Sequence, residues 1–383
     1  MQAYLDNSAT TQPTQGVIEA MERCMREGFY NPSSLYTPAM KSEQAMKECR
    51  ERILRALGTS GQGSILFTSG GTESNNLAII GAVGAMHGAR HVMCSAVEHP
   101  SVKESFEALR ARGHRVTFIP VDGAWQLDWA ALEQAIKDDP PSLISCMQVN
   151  NETGAMLDVD RLHDTLARLA PECLIHVDGV QGFLRTPFDA KKVHLYTLSG
   201  HKLHGPKGIG ALYVKRGVRL IPRQIGGGQE GGLRSGTENT PGIAGLNEAI
   251  AEMTALPDRF ERLREMKKYL VERVLEAVPE ALLNGPAADE GAGHVINISF
   301  PGVRGEVMLH ALEGKGVYVS TGSACSSKKR RLSPVLLEMG VSPDRAECAL
   351  RFSLSPHTTR QEIDYAAQAL GEIYPALRRF QRR

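Results

Sequence analysis

Two hydrophobic rhythms alternate along the first two thirds of the chain. Short apolar runs of strand character cover residues 64–68, 91–95, 116–120, 143–148, 174–177, the stretch around Leu195, and 209–214. Between them, apolar residues recur at helical spacing over 50–57, 73–86, 101–112, 129–137 and 160–169. Strands bounded by small-residue turns and followed by amphipathic helices predict an α/β fold, a mostly parallel sheet with helices on both faces. In such a sheet ligands bind outside the carboxyl ends of the strands. Near Pro257 the rhythm changes. A charged helix over 258–277 leads into the apolar run 295–300, and the chain finishes on a helix over 360–378. This predicts a large domain over 14–256 and a smaller α+β domain made of 1–13 and 257–383, with no internal repeat or low-complexity linker.

Composition narrows the function classes. The 383 residues are 42% hydrophobic and 23% charged, and 44 basic against 43 acidic side chains leave a formal charge of +1. A chain of this length buries a large core. Its balanced charge offers no general attraction to nucleic acid or to an anionic membrane. Apolar runs fall short of the ~20 residues a membrane span needs. The start, Met1-Gln2-Ala3-Tyr4-Leu5-Asp6, lacks a basic region followed by an apolar one, so a cytoplasmic location is expected. Seven scattered cysteines without a C-x-x-C pair predict neither a metal site nor a redox dithiol. Cys24, Cys49, Cys94 and Cys146 lie in helical or strand-like runs, where cysteine is ordinarily a small core residue.

Candidate chemistry gathers at the predicted strand ends. Lys202 closes Ser199-Gly200-His201-Lys202, and Asp178 ends the strand that begins the run His176-Val177-Asp178-Gly179-Val180-Gln181. An amine for a Schiff base and a carboxylate for a pyridinium nitrogen are what a pyridoxal phosphate site requires. Ser69-Gly70-Gly71-Thr72-Glu73 is a small-residue turn opening a helix, a setting that presents N–H groups to a phosphate. His99 follows another strand and suits stacking or proton transfer, and Asn151 follows a third. Each has an ordinary alternative: a solvated loop lysine, a turn aspartate, a helix cap, a surface histidine, an Asn-rich turn. Position argues for function, because Thr72, His99, Asn151 and Lys202 each follow a different predicted strand, and Asp178 with Gln181 follows a fifth. Neither a nucleotide-type G-x-x-x-x-G-K-[ST] nor a dinucleotide-type G-x-G-x-x-G follows a strand.

Seven blocks taken together resemble the cysteine desulfurases of the NifS/IscS type. They are Ser69-Gly-Gly-Thr-Glu-Ser-Asn-Asn-Leu-Ala78, Val149-Asn-Asn-Glu-Thr-Gly154, His176-Val-Asp-Gly-Val-Gln181, Ser199-Gly-His-Lys202 with Gly205-Pro-Lys-Gly208, Gly226-Gly-Gly-Gln-Glu230, Arg234-Ser-Gly-Thr237 and Ser323-Ala-Cys325. With Asp6-Asn7-Ser8-Ala9-Thr10-Thr11 at one end and Arg351-Phe352-Ser353 at the other, the likeness spans nearly the whole chain. It implies a homodimeric fold-type I enzyme that takes sulfur from L-cysteine with pyridoxal 5'-phosphate, releases L-alanine and holds the sulfur as a persulfide. By the same resemblance Lys202 bonds the cofactor, Asp178 meets its ring nitrogen, His99 its ring face, and Gln181 and Asn151 its ring oxygen. Gly71, Thr72, Ser199 and His201 meet the phosphate, with Thr237 supplied by the other subunit. Arg351, helped by Asn7, holds the substrate carboxylate, a task that suits a guanidinium's paired donors.

Cys325 is the nucleophile that the resemblance implies. It precedes Lys328, Lys329, Arg330 and Arg331, an electropositive setting that favours a thiolate, on a loop of about 321–346 expected to reach outward to an acceptor. That length places the chain with the long-loop branch. Acceptors compatible with a persulfide donor include an iron–sulfur scaffold or a thiolation enzyme. A selenocysteine lyase, a cysteine-sulfinate lyase or an aminotransferase of the same fold would share Lys202 and Asp178 without needing Cys325. Two positions depart from the family pattern: Gly231 stands where many relatives carry arginine, and Cys325-Ser-Ser-Lys-Lys-Arg-Arg replaces the usual Cys-Thr-Ser start.

Overall fold

The computed structural model describes residues 1–321 and 332–381, with side chains to residue 378. Its strands are β1 (Ala3–Tyr4), β2 (Gly63–Thr68), β3 (His91–Ser95), β4 (Arg115–Ile119), β5 (Leu143–Met147), β6 (Leu174–Asp178), β7 (Leu195–Ser199), β8 (Gly210–Lys215), β9 (Leu282–Asn284), β10 (Val295–Ser299), β11 (Val317–Tyr318) and β12 (Ala349–Ser353).

Seven strands form the main sheet in the order β2-β8-β7-β6-β5-β3-β4. The pairs β4–β3, β3–β5, β5–β6 and β6–β7 are parallel. Only β8 runs against its neighbours, β7 and β2. Every residue of β3, β5 and β7 is buried, as expected for strands covered on both faces. One face packs against a core that includes Ile53, Met93, Ile144, Val177, Tyr196 and Leu246. The other packs against Leu77, Ile79, Val92, Phe106 and Leu143.

A separate core gathers around the three-stranded antiparallel sheet β12-β10-β9 and the helices Arg259–Ala277 and Arg360–Gln381. Ala3 and Leu5, from the extreme N-terminus, belong to this second core, where β1 pairs in parallel with β11. Among the described residues no helix is long and apolar enough to cross a membrane.

Two helices and one cysteine differ from the sequence pattern for physical reasons. The helix expected over 50–57 spans Thr37–Ala56, because Pro38 fits its first turn and Ala39, Met46, Cys49 and Ile53 form a buried stripe among charged residues. The helix expected over 73–86 is interrupted by a wider π-turn at Leu77–Gly81. There the Ile221 N–H donates to the Gly81 carbonyl at 2.9 Å. A Cβ on Gly81 would lie 3.0 Å from the Ile221 carbonyl oxygen, so the approach needs glycine. Cys24, expected in the core, is only partly buried, because it lies near the end of the helix Gln15–Glu27, where its thiol meets the Gly28 carbonyl.

The turn after β6 is packed without slack. A Cβ on Gly179 would fall 2.0 Å from the Tyr196 ring, whose hydroxyl donates to Gln148 Oε1 at 2.5 Å. We predict that Gly179→Ala lowers the unfolding free energy by about 1–3 kcal/mol, the usual cost of overpacking. Gly123→Ala, where a Cβ meets open space, should lose little. Urea unfolding of both variants checks this, and equal midpoints would contradict it.

Candidate active site

Asp178 is the last residue of β6, and Lys202 ends a single 3₁₀ turn, Gly200–Lys202, immediately after β7. The two strands are parallel neighbours in which Asp178 pairs with Thr197. Two donors hold the Asp178 carboxylate, Asn75 Nδ2 at 2.8 Å and the Val180 N–H at 3.0 Å. It is buried, yet no cationic side chain among the described residues forms an ion pair with it.

Asn75 continues the network to His99. Its Nδ2 also reaches Ser101 Oγ at 2.8 Å, and Ser101 Oγ lies 2.8 Å from His99 Nδ1. The Ser101 N–H donates to the same nitrogen at 3.1 Å. Nδ1 is therefore an acceptor, and the neutral ring carries its proton on Nε2. Burial pushes His99 below the ordinary histidine value, with the Asp178 carboxylate opposing and the Lys202 ammonium adding to the shift. His99 thus senses both strand-end groups.

The N-terminal segment closes the site. Lys202 Nζ donates to the carbonyls of Ser8 at 2.5 Å and Ala9 at 2.8 Å, while Gln181 Nε2 donates to Ser8 at 2.9 Å. His201 is tied to the same segment through Thr10 Oγ1 at 3.2 Å and through its carbonyl, which accepts from the Thr11 N–H at 2.9 Å. Ser199 is buried beside the Gly70-Gly71 turn: a Cβ on Gly71 would meet Ser199 Cβ at 3.8 Å and Val180 at 2.6 Å. Gly71 opens a helix whose first N–H groups have no partner within it. Thr72 is exposed next to this turn, and Thr237 is exposed on the stretch after Arg234.

Arg351, buried on β12, donates from Nη1 to the Asn151 carbonyl and from Nη2 to Asp6 Oδ1, both at 2.9 Å. The guanidinium is thus oriented by a carboxylate of its own chain. Asn7 spends both its amide protons on the carbonyls of Tyr4 at 3.2 Å and Ser353 at 3.0 Å, which leaves Oδ1 for any further contact. Cys325 lies outside the described residues. Among the described residues, Ser333 Oγ donates to the buried Glu152 at 2.6 Å, joining residue 333 to the turn that carries Asn151. Gly231 adopts φ 64, ψ 24, the left-handed region that favours glycine over arginine.

The reading from sequence missed Asn75, Ser101, Ser8, Asp6 and Glu152. Asn75 and Glu152 stand inside the quoted blocks, but nothing in their spacing reveals a bond to Asp178 or to Ser333.

Comparison with known proteins decides the family. The class-V aminotransferase model matches residues 3–366. Cysteine desulfurase IscS of Dictyoglomus turgidum is 38% identical over 383 residues, covering 98% of this chain and 95% of the relative. Cysteine desulfurase IscS of Methanosarcina thermophila is 39% identical, covering 98% and 92%. A solved NifS-like protein superposes with a TM-score of 0.90 at 33% identity, covering 98% of this chain and all of that one. The chain belongs to the class-V aminotransferases, in their cysteine desulfurase branch.

A cysteine desulfurase of this fold-type I family depends on pyridoxal 5'-phosphate. The residues present fit that group. Asp178 is a buried carboxylate with no ion-pair partner among the described residues, a place a ring nitrogen holding a proton would fill. Beside it stand a primary amine held by two carbonyls and a glycine turn backed by a buried serine.

Several histidines around the site are kept neutral. Burial pulls His176 down to about 3 and His201 and His204 to about 4. Their unfolded forms take up protons below the ordinary value of about 6.5 while the folded forms resist, so stability falls as the pH drops from there toward 4. Glu98, raised to about 8 by burial, acts in the opposite sense and is common to any histidine variant. For the fully buried His176 the slope is on the order of 1.4 kcal/mol per pH unit. The loss of unfolding free energy between pH 7 and pH 5 should therefore be smaller in His176→Gln than in the parent protein. Equal losses would contradict the buried-neutral assignment.

Proposed function

We propose that this cysteine desulfurase uses Lys202, Asp178 and His99 to hold the cofactor and Cys325 to receive the sulfur atom of L-cysteine. The observation that carries this reading is the convergence at one edge of the sheet of Asp178 and His99, joined through Asn75 and Ser101, with Lys202, carried there by the neighbouring parallel strand. When bound, the cofactor supplies an electron sink for the carbon skeleton of the substrate.

The remaining tasks belong to the chain. Arg351, oriented by Asp6, receives the substrate carboxylate, helped by Asn7, whose amide is bonded to the Ser353 carbonyl on the same strand. Lys202 Nζ takes the proton from the substrate Cα and returns one to carbon later. Gln181 and Asn151 bind the ring oxygen, and Gly71, Thr72, Ser199 and His201 the phosphate. Cys325 Sγ forms an S–S bond as the substrate C–S bond breaks, and a proton replaces sulfur on carbon. Cysteine and enzyme thiol thus become alanine and enzyme persulfide, in balance. The four cations after Cys325 favour the thiolate that this step needs.

In this reading the protein is a cytoplasmic homodimer, and Thr237 reaches the phosphate of the partner's site. Large exposed hydrophobics support an interface: Phe29 at 65%, Leu35 at 94% and Ile225 at 88% of full exposure. The sulfur acceptor is a protein such as an iron–sulfur scaffold or a thiolation enzyme.

Incubating the purified protein with L-cysteine and mapping its peptides by mass spectrometry should find one added sulfur atom on Cys325. Cys325→Ala should lose this adduct and alanine formation by roughly a thousandfold or more, as removal of a nucleophile does. Full desulfuration by Cys325→Ala would reject the mechanism. Lys202→Ala should lose the visible absorption of the holoenzyme, and retention of the parent spectrum would reject the anchoring role.

A further inference from the structure

Arg185 lies in the turn after β6, seven residues past Asp178, and is 3% exposed. Its N–H closes the turn on the Gly182 carbonyl at 2.9 Å, and Leu184 before it adopts φ 57, a conformation uncommon for leucine. The backbone bends there to carry the guanidinium inward. Its bonds run from Nη1 to Gln181 Oε1 at 3.0 Å and to the Lys202 carbonyl at 3.2 Å, and from Nη2 to Ser8 Oγ at 3.5 Å. No carboxylate among the described residues forms an ion pair with it. A buried cation without an anion is costly, and a neutral side chain of similar size would spare the fold that cost.

The bonds specify what the charge does. Gln181 offers an oxygen edge and an NH₂ edge, and Arg185 engages the oxygen, so the NH₂ edge turns toward the Ser8 carbonyl that Lys202 Nζ also reaches. We propose that Arg185 is a positioning residue of the cofactor site, orienting Gln181, holding the Lys202 backbone and providing a standing positive charge at Ser8, the residue whose carbonyl Lys202 Nζ also reaches. This inference rests on the roles assigned above to Lys202 and Gln181.

The charged and titratable groups around it are Lys202, His201 and His204 from the segment after β7, His294 before β10, and Arg351 on β12 with its partner Asp6. All three histidines are held below their ordinary value by burial first, with Arg185 contributing. They stay neutral near pH 7, which leaves the arginines and Lys202 as the cations among these groups. A fixed positive charge disfavours a second proton nearby, so it lowers the pH at which the cofactor–lysine pair gives up its proton.

The test is a pH titration of the visible absorption of purified holoenzyme, with kcat, KM for L-cysteine and thermal unfolding, for the parent, Arg185→Lys, Arg185→Gln and Arg185→Met. In the neutral variants the spectral midpoint should rise by about one pH unit and kcat fall about tenfold, with KM within about threefold. They should unfold no earlier than the parent. Arg185→Lys should hold the midpoint but lose kcat about fivefold, because a single ammonium cannot reproduce the fork. In a cycle with Gln181→Met the kcat losses should be less than additive. Unmoved midpoints in the neutral variants would overturn the inference. So would neutral variants that unfold or lose cofactor beside an Arg185→Lys protein at parental kcat, which would assign Arg185 to packing. A parent protein with no visible absorption would instead sink the cofactor assignment itself, so the two failures are distinguishable.

Discussion

A buried carboxylate in want of a cation organises this molecule. Asp178 is carried below the surface at the end of β6 and, among the described residues, receives neutral donors from Asn75 and Val180. Burying an ionised group is tolerable when its neighbours complete it, and the parallel strand β7 brings the chain that carries Lys202 alongside. Much of the sheet serves that juxtaposition. Residues following β3, β5, β6 and β7 emerge at one edge because those strands point the same way.

The N-terminal segment closes the edge and joins the two cores. Leu5 packs with the smaller core, the Ser353 N–H donates to the Leu5 carbonyl at 2.6 Å, and Asp6 pairs with Arg351. A few residues further on, the carbonyls of Ser8 and Ala9 receive Lys202, and Thr11 meets His201. One short stretch therefore touches both the Lys202 amine and the arginine assigned to the substrate. A shift of this segment would move both ends of the site together, which gives its packing against both cores a direct bearing on catalysis.

Periodicity made the strands of the main sheet legible, because each buried run is short, apolar and bounded by turns. Their shared edge followed from topology rules alone, and with it the grouping of Asp178, His99 and Lys202. Other features escaped for identifiable reasons. The reversal of β8 leaves no mark on its own residues, since a fully buried strand looks the same in either direction. The long helix beginning at Thr37 was obscured by charged residues around its buried stripe. The Asp6–Arg351 pair joins positions 345 residues apart, beyond the reach of any local pattern. The bonds from the Asn7 amide to the carbonyls of Tyr4 and Ser353 likewise leave no mark in the local pattern. Gly231 looked like a missing arginine, yet its left-handed backbone explains the residue locally. The conspicuous strand-end groups were readable, and the asparagine, serine and arginine that orient them were not.

The central claim is that one amine, Lys202 Nζ, is the attachment point of the cofactor beside Asp178. Borohydride reduction of the purified holoenzyme, followed by peptide mapping, fixes the cofactor to whichever lysine holds it. The account predicts the pyridoxyl mass on the peptide containing Lys202 and on no other. A tag on a different lysine, or none from a protein that is spectroscopically loaded, would contradict it.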